Sequence, residues 1–487
     1  MTLRTVAGYI HCMETDVIIV GGGLAGLACA AGLWDCGLRL TLLEASPWLG
    51  GRARSWVDAA SGDELDLGPH VLTNEHRNML ALLRMLGTER EVVWHTDNFL
   101  VLAEQPPLVM KRYPLPAPLS LLPNLFTVHR LGLKDLASNT PVVLLAMRMN
   151  EAEVARLDTE SAARFLARMG VTPEFIAWFW RSAAMTFMNV PLESCSAGAL
   201  LRVFKQLLGD NGFRFGFPAR GLGSLFAPVA ARRMVQEGGR IITHCPVQRL
   251  EHDGRRAIGV VLGDGTRLAA RYCVCAVTPH ELLPMLPEDV PALEGLRRDL
   301  PHFLPVPYVS TYLWFDRRLG TEQMWARLWS EDGLSYDSYD LANIRPGLRG
   351  GASLIASNII NSPRAQGMPD DAIVHAVVQE IAAFLPAIRR AHLLQARVHR
   401  IPLGITAPHP GMERRRPGTR SALPGLFLSG DWTGTRLPSS MESAVCSGWL
   451  AAEQIRAELG RPRALIQPIT ATTGIAGWLG RHGRAPA

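Results

Sequence analysis

A glycine-rich turn set between a strand and a helix constrains this chain more than any other feature. Asp16 to Val20 is a short, β-branched, apolar run. Leu24 to Cys36 is an apolar helical stretch with small residues at Ala25, Ala28 and Gly32, stopped by Gly37. Between them stands Gly21-Gly22-Gly23-Leu24-Ala25-Gly26. Gly21 permits the tight turn, Gly23 lets backbone approach a diphosphate without a Cβ in the way, and Gly26 lets helix lie close on strand. The helix N-terminus beyond them, at Leu24 and Ala25, offers unpaired N–H groups and the positive end of the helix dipole to that anion. These residues predict the opening βαβ unit of a dinucleotide fold. Val17 to Trp34 carries no charge over 18 residues, long enough to resemble a membrane span. Four glycines within its first ten residues argue for strand and turn instead.

Leu38 to Leu43 reads as the second strand, and Glu44 stands at its end, 18 positions after Gly26. An acidic side chain there accepts hydrogen bonds from an adenosine ribose, with Ala45 alongside. Next comes Leu49-Gly50-Gly51-Arg52-Ala53-Arg54, where Gly51 gives close backbone approach and Arg52 offers a forked donor to phosphate oxygens. Leu65-Asp66-Leu67-Gly68-Pro69-His70 then reads as a strand ending in a rigid turn. At the far end of the chain, Leu426 to Leu428 delivers Gly430-Asp431-Trp432-Thr433 into a loop, where Asp431 can accept from ribityl hydroxyls. Ser439-Ser440-Met441-Glu442 follows, with the spacing of a capping box at a helix start. A helix N-terminus at Ser440 and Met441 favours a reduced, negatively charged flavin beside it.

These residues closely resemble the flavoprotein superfamily of amine oxidases, protoporphyrinogen oxidase and carotenoid desaturases. The resemblance covers the first 70 residues and the last 60, with islands between, such as Cys245 to Leu250, whose Val247 matches a position contacting adenine through its backbone. It implies non-covalent FAD and a Rossmann-type FAD-binding domain, glutathione-reductase-like, with a mixed sheet and a β-meander, interleaved with an α+β substrate domain. Gly68, Pro69 and His70 fall beside the flavin on this reading. Within the superfamily, Phe179-Trp180-Arg181 through Asn189-Val190-Pro191, and Gly430 through Val445, look most like hydroxysqualene dehydroxylases and plant-type phytoene and carotene desaturases. The dehydroxylases commonly read Asn, Gly, Gln, His where this chain reads Leu67-Gly68-Pro69-His70, so Gly and His match and the other two differ.

Cofactor elements at both ends can meet only if the middle of the chain is inserted between them. The expected division is a disordered extension over 1–13, an FAD domain from 14–91, 221–294 and 396–460, a substrate domain from 92–220 and 295–395, and a basic tail over 461–487. Gly221 to Glu237 reads as a helix, and strands follow over Arg240–Thr243, Val247–Glu251, Ala257–Leu262, Thr266–Arg271 and Tyr272–Val277. An apolar fraction of 48% supports a large core. The net charge of +6 comes without a nucleic-acid motif, which favours a peripheral membrane contact over nucleic acid. Segment 106–149, proline-broken, leucine-rich and dotted with basic residues, reads either as an interfacial membrane element or as a cap over the site. Ile475 and Trp478, near Arg481 and Arg484, read either as an anchor or as a disordered tail. No signal peptide is recognised, and the eight scattered cysteines fit reduced cytoplasmic thiols, with no metal-ligand spacing. The expected location is the cytoplasm, peripheral on the inner face of the cell membrane.

The expected reaction is hydride exchange between FAD and a lipophilic isoprenoid, as an allylic dehydroxylation or, in reverse, a desaturation. Either direction needs at most one acid–base group, and His70 is the candidate. Phe175, Trp178, Phe179, Trp180 and Phe187, with Tyr308, Tyr312, Trp314 and Phe315, serve either as core or as tunnel lining. An amine oxidase is the alternative enzyme, although such enzymes usually place a lysine beside the flavin and no lysine follows Lys205. A non-enzymatic flavin-binding protein is the third reading.

Overall fold

The computed structural model describes residues 15–95, 100–103, 108–111, 113–126, 128, 130–209, 212–348 and 351–482. The expected extension over 1–13, Arg484, and positions 106, 107, 112, 127 and 129 of the proline-broken segment lie outside these residues. Along the chain run β1 (Thr15–Val20), α1 (Leu24–Leu33), β2 (Leu40–Leu43), the hairpin β3 (Ser55–Val57) and β4 (Glu64–Asp66), β5 (Leu72–Thr73) and α2 (Arg77–Leu86). Then come β6 (Val92–Trp94), β7 (Leu100–Leu102), β8 (Leu108–Met110), a helical lobe over 119–209, and β9 (Phe215–Pro218). The chain continues through β10 (Arg240–Ile242), β11 (Val247–His252), β12 (Ala257–Leu262), β13 (Arg267–Cys275), β14 (Pro305–Phe315), β15 (Met324–Ala326), β16 (Asp337–Asp340) and β17 (Leu354–Ile360). It ends with α3 (Asp370–Phe384), β18 (Leu393–Thr406), β19 (Leu426–Leu428), α4 (Met441–Glu458) and α5 (Gly474–His482).

The first sheet has the order β10-β2-β1-β13-β12-β11, with β19 also beside β13. β1, β2, β10 and β19 pair in parallel, and β11 to β13 form an antiparallel meander. β13 is one continuous strand where two were expected. No breaker separates Arg271 from Tyr272, so its outer half alternates exposed and buried residues against β12, while Tyr272 to Cys275 are buried between β1 and β19.

All ten residues of α1 are buried, because α4 covers the helix on the side away from the sheet. A Cβ on Gly448 would lie 2.2 Å from the Ala25 carbonyl oxygen, and one on Gly32 would lie 2.6 Å from Ala452 Cβ. Small residues thus let the first and last long helices touch backbone to backbone. The ends of the chain are joined by that contact.

The second sheet has the order β18-β14-β17-β16-β15-β7-β8. Val309, Leu313, Ile355 and Ile359 on its outer face pack on Ile373, Val377 and Ile381 of α3. Three expectations change here. β18 runs across the expected boundary at 395/396: Leu393 to Thr406 form one strand along β14, with register shifts near both ends of the pairing, so the second sheet extends to Thr406. β6 and β9, assigned to the substrate unit, instead join β5 in a small sheet. The tail, read either as an anchor or as disorder, is ordered through its described residues. Leu465 enters the first core, Ala476 of α5 enters the core of the helical lobe, and Ile475 N donates to Ala117 O at 3.0 Å.

The α1–α4 contact predicts that Gly448→Val costs at least about 1–3 kcal/mol of stability through overpacking. Thermal unfolding of the cofactor-free protein checks this, and an unchanged midpoint would contradict the contact.

Candidate functional site

The glycines of the first turn divide by what surrounds them. Gly21 has φ +106°, and its added Cβ would meet Ala276 O at 2.6 Å; for Gly26 the clash is with Gly21 O at 1.9 Å. Those two are required by the fold itself. Gly23 is different: its φ is −77°, and an added Cβ finds no closer atom than Gly51 Cα at 3.9 Å. The protein leaves space over the α1 N-terminus and lines it with two side-chain-free residues, Gly23 and Gly51, brought together as Gly50 N donates to Gly22 O at 2.9 Å. No side chain caps α1 at Gly23, so its first N–H groups face this space from within the turn. A diphosphate fits there, with Leu24 and Ala25 opening the helix beneath it.

Glu44 leaves β2 and turns back to the same loop. Its Oε2 accepts from Gly22 N at 2.8 Å, and its Oε1 accepts from Ser46 N at 2.8 Å and Ser46 Oγ at 2.6 Å. The carboxylate is held in one orientation with acceptor capacity left for a ribose. Cys245 N donates to Glu44 O at 2.9 Å, which carries Val247, at the start of β11, toward this end beside Ala45.

Arg52 and Asp431, expected at a phosphate and at ribityl hydroxyls, bind each other. Arg52 Nη2 and Nη1 reach Asp431 Oδ1 and Oδ2 at 2.6 and 3.1 Å, and Nη1 also donates to Gly404 O at 3.0 Å. Burial resists ionisation of Asp431, but Arg52 and the Ser439 hydroxyl outweigh it and hold the carboxyl below the usual range. The pair seats the Gly430 loop against the second glycine turn. Ser443 Oγ donates to Asp431 O at 3.0 Å, so the first turn of α4 lies against the same loop.

The expected capping box does not form. Ser440 caps α4 by accepting from Ser443 N at 3.2 Å, and Met441 follows as its first residue. Glu442 reaches the start of α2 instead, where it accepts from Asn78 N at 2.9 Å, Asn78 Nδ2 at 2.6 Å and Met79 N at 2.9 Å. The unpaired N–H groups of a neighbouring helix draw the carboxylate away from its own.

The turn after β4 docks on the inner face of the second sheet. A Cβ on Gly68 would stand 2.7 Å from Ser310 Oγ, so glycine is needed for the approach. Asn358 Nδ2 donates to Pro69 O at 3.3 Å, and Tyr312 OH donates to Asp66 O at 2.9 Å. The buried Asp66–Arg345 pair, at 2.9 Å, fixes the same turn. Burial pushes the His70 imidazole below its ordinary pKa, and its Nδ1 has no hydrogen-bond partner among the described residues.

Gly68 meets one row of this sheet. Successive cross-strand partners run His399–Ser310–Asn358–Asp337–Ala326–Leu102–Leu108, from β18 to β8. Directly paired residues share a face. Four strands contribute polar groups and three contribute apolar ones. The apolar part packs with Trp178 and Val128 of the helical lobe. Ser310, Asn358 and Asp337 escape a sequence reading. The available signal is the polar and aromatic run Ser335-Tyr336-Asp337-Ser338-Tyr339-Asp340, unusual for a strand well inside a sheet.

The aromatic residues split between roles. Trp180 is fully buried and donates to Asn139 Oδ1 at 2.9 Å, Phe175 packs in the same core, and Phe315 belongs to the outer face. Phe179 and Phe187 are half-buried against that helical core, while Tyr312 and Trp314 lie on the inner face, where they donate to Asp66 O and Asp63 Oδ2. Trp178 joins the apolar end of the row with its indole N–H unpartnered among the described residues. It belongs to a stretch of π-helix, Ile176–Trp180, a distortion common at functional sites.

Residues 24–456 match the model of the flavin containing amine oxidoreductase family. The chain is 26% identical to the 15-cis-phytoene desaturase of Solanum lycopersicum over 465 residues, covering 90% of this chain and 77% of that protein. It is 25% identical to the zeta-carotene desaturase of Synechocystis over 488 residues, covering 92% and 99%. In fold it resembles the cyclohexylamine oxidase of Brevibacterium oxydans, with a TM-score of 0.70 at 19% identity, covering 92% of this chain and 100% of that one.

The contrast between glycines gives a direct test. Gly23→Ala keeps stability within about 1 kcal/mol, the scale of an N-cap change, while weakening FAD affinity about tenfold or more. Gly26→Ala, whose Cβ has no room, loses soluble folded protein. Thermal unfolding without cofactor and flavin titration separate the two effects.

Proposed function

The chain belongs to the flavin containing amine oxidoreductase family, whose cofactor is FAD, and from that premise we propose that it transfers a hydride between FAD and a long isoprenoid lipid. The observation that carries this reading is the inner-face row, polar where it meets Gly68 and apolar from Ala326 to Leu108. A hydrocarbon with one reactive position needs that gradient: few polar groups at one end and a dry surface along the rest. The relatives named as phytoene and zeta-carotene desaturases support desaturation as the direction. Removal of an allylic hydroxyl from a hydroxysqualene-like substrate is the second direction, supported by the protonatable Asp337 in the same row.

FAD, when bound, supplies a two-electron hydride acceptor or donor at its isoalloxazine ring. The chain's own residues do the rest. Gly23, Gly51 and the α1 N-terminus would hold the diphosphate, Glu44 the ribose, and Val247 the adenine. Arg52 and Asp431 lock the two cofactor loops together, with Ser440 and Met441 opening the helix beside them. Gly68, Pro69 and His70 would close the flavin side of the substrate space, and the sheet would keep water from it. An amine substrate fits less well, since strands β14 to β18 contain no lysine.

A peripheral membrane contact, on the cytoplasmic face, belongs to the same proposal. Phe126, Leu133 and Trp478 are 63%, 78% and 56% exposed, and the Ile475–Ala117 hydrogen bond brings the tail helix to the proline-broken segment. Apolar exposure beside Arg130 and Lys134 suits an anionic bilayer surface. Among the described residues no helix is long and apolar enough to cross a membrane.

Two measurements check these readings. Anaerobic incubation with phytoene and oxidised FAD, and in parallel with hydroxysqualene and reduced FAD, is expected to give product with one of them. Turnover of a primary amine alone contradicts the proposal. In sedimentation with anionic vesicles, Phe126→Glu/Trp478→Glu is expected to lower binding about tenfold or more, and equal binding contradicts the membrane face.

A further inference from the structure

Both directions of the proposed chemistry need one group that exchanges a proton with the substrate, and the turn residue His70 is the choice from sequence. A second group is better placed. Asp337 stands where the row changes character, with Asn358 beside it on β17 and Ala326 beside it on β15. Its Oδ2 accepts from the Tyr339 hydroxyl and from Asn358 Nδ2 at 3.4 Å. Its Oδ1 is enclosed, without a hydrogen-bond partner among the described residues. A buried oxygen without a partner is unfavourable until a proton or a ligand satisfies it.

The groups facing Asp337 do not neutralise a carboxylate. Tyr308 on β14, Tyr336 just before β16 and Tyr339 on β16 sense its charge, and burial raises all three above the ordinary tyrosine range. The Tyr336 hydroxyl is turned to Ser182 O, at 2.8 Å, in the helical lobe. Arg52 and Asp431, paired with each other, are also sensed by Tyr308, and His399 lies at the far end of the row. Burial therefore prevails over the Tyr339 and Asn358 hydrogen bonds and raises the Asp337 carboxyl. His70, by contrast, is pushed toward the neutral base by burial and sits in the turn below Ser310 and Asn358.

We propose that Asp337 is the proton-exchanging residue of the substrate site, acting through Oδ1 on an isoprenoid chain that lies over Ala326. The proposal rests on the isoprenoid reading given above. In dehydroxylation Asp337 gives its proton to the allylic hydroxyl oxygen; the C–O electron pair leaves with water, the carboxylate remains, and the carbon receives a hydride from reduced flavin. In desaturation the Asp337 carboxylate takes a proton from the carbon next to the one that yields a hydride to oxidised flavin, and the C–H pair becomes the new double bond. The two directions need opposite protonation states. Dehydroxylation falls as pH rises through the raised Asp337 pKa, and desaturation rises over the same range.

The test compares wild type, Asp337→Asn and Asp337→Glu as FAD-loaded proteins with whichever isoprenoid turns over. Asp337→Asn is expected to lose about 100-fold or more in kcat, with unchanged flavin spectrum and FAD affinity and with the pH limb abolished. Asp337→Glu is expected to recover part of the rate with a displaced limb. A readout independent of turnover is the infrared difference between FAD-free wild type and Asp337→Asn. It is expected to show a protonated-carboxyl band that persists above the ordinary aspartate range. A loss below about tenfold, a limb that survives in Asp337→Asn, or a carboxylate band at mildly acidic pH overturns the proposal. A wild type inert toward both isoprenoids overturns the substrate reading and this proposal together, whereas an active wild type with an unaffected Asp337→Asn overturns the proposal alone.

Discussion

The backbone-to-backbone contact of α1 with α4 is the constraint on which the rest of the molecule depends. Gly448 against Ala25, and Gly32 against Ala452, leave no room for side chains between the helices. Because α4 is seated there, the loop before it reaches the second glycine turn, and Asp431 can close on Arg52. Close packing of this kind tolerates little added volume. It converts two distant stretches of sequence into one cofactor cradle, with Glu442 tying α4 to α2 from the other side.

The substrate side is built on a second close approach, Gly68 on Ser310, that brings the cofactor domain under one edge of the second sheet. The row above Gly68 grades from His399 to Leu108, and the gradient gives a single sheet face two functions. In the proposed function its polar half orients and exchanges protons, and its apolar half excludes water and accepts hydrocarbon. Asp337 lies at the boundary, held through one oxygen, while the other is enclosed without a hydrogen-bond partner among the described residues.

Local pattern made the cofactor domain readable. The glycine turn, Glu44 at a strand end, and the Gly430-Asp431 loop each depend on a few adjacent residues whose spacing has one geometric solution. The site was less readable wherever partners come from far along the chain. Read locally, Arg52 and Asp431 point to different parts of the cofactor, because no local signal says they meet. Glu442 matched a capping pattern, but the N-terminus of α2 competed for it and won. Asp337, Ser310 and Asn358 become neighbours only through strand register, which the alternation of a single strand does not reveal. The split assigned to β13 failed for a related reason: one strand passes through two environments without any break in the backbone.

The central claim is that the substrate follows the inner-face row, with its reacting end at Asp337 and its chain over Ala326 and Leu102. The most direct test is an experimental structure of the FAD-loaded protein with a long isoprenoid analogue bound. The predicted result is a chain lying along Ala326 and Leu102 beneath Trp178, with its functional end within hydrogen-bonding distance of Asp337 Oδ1. An analogue seated elsewhere, with the row still filled by protein side chains, would contradict it.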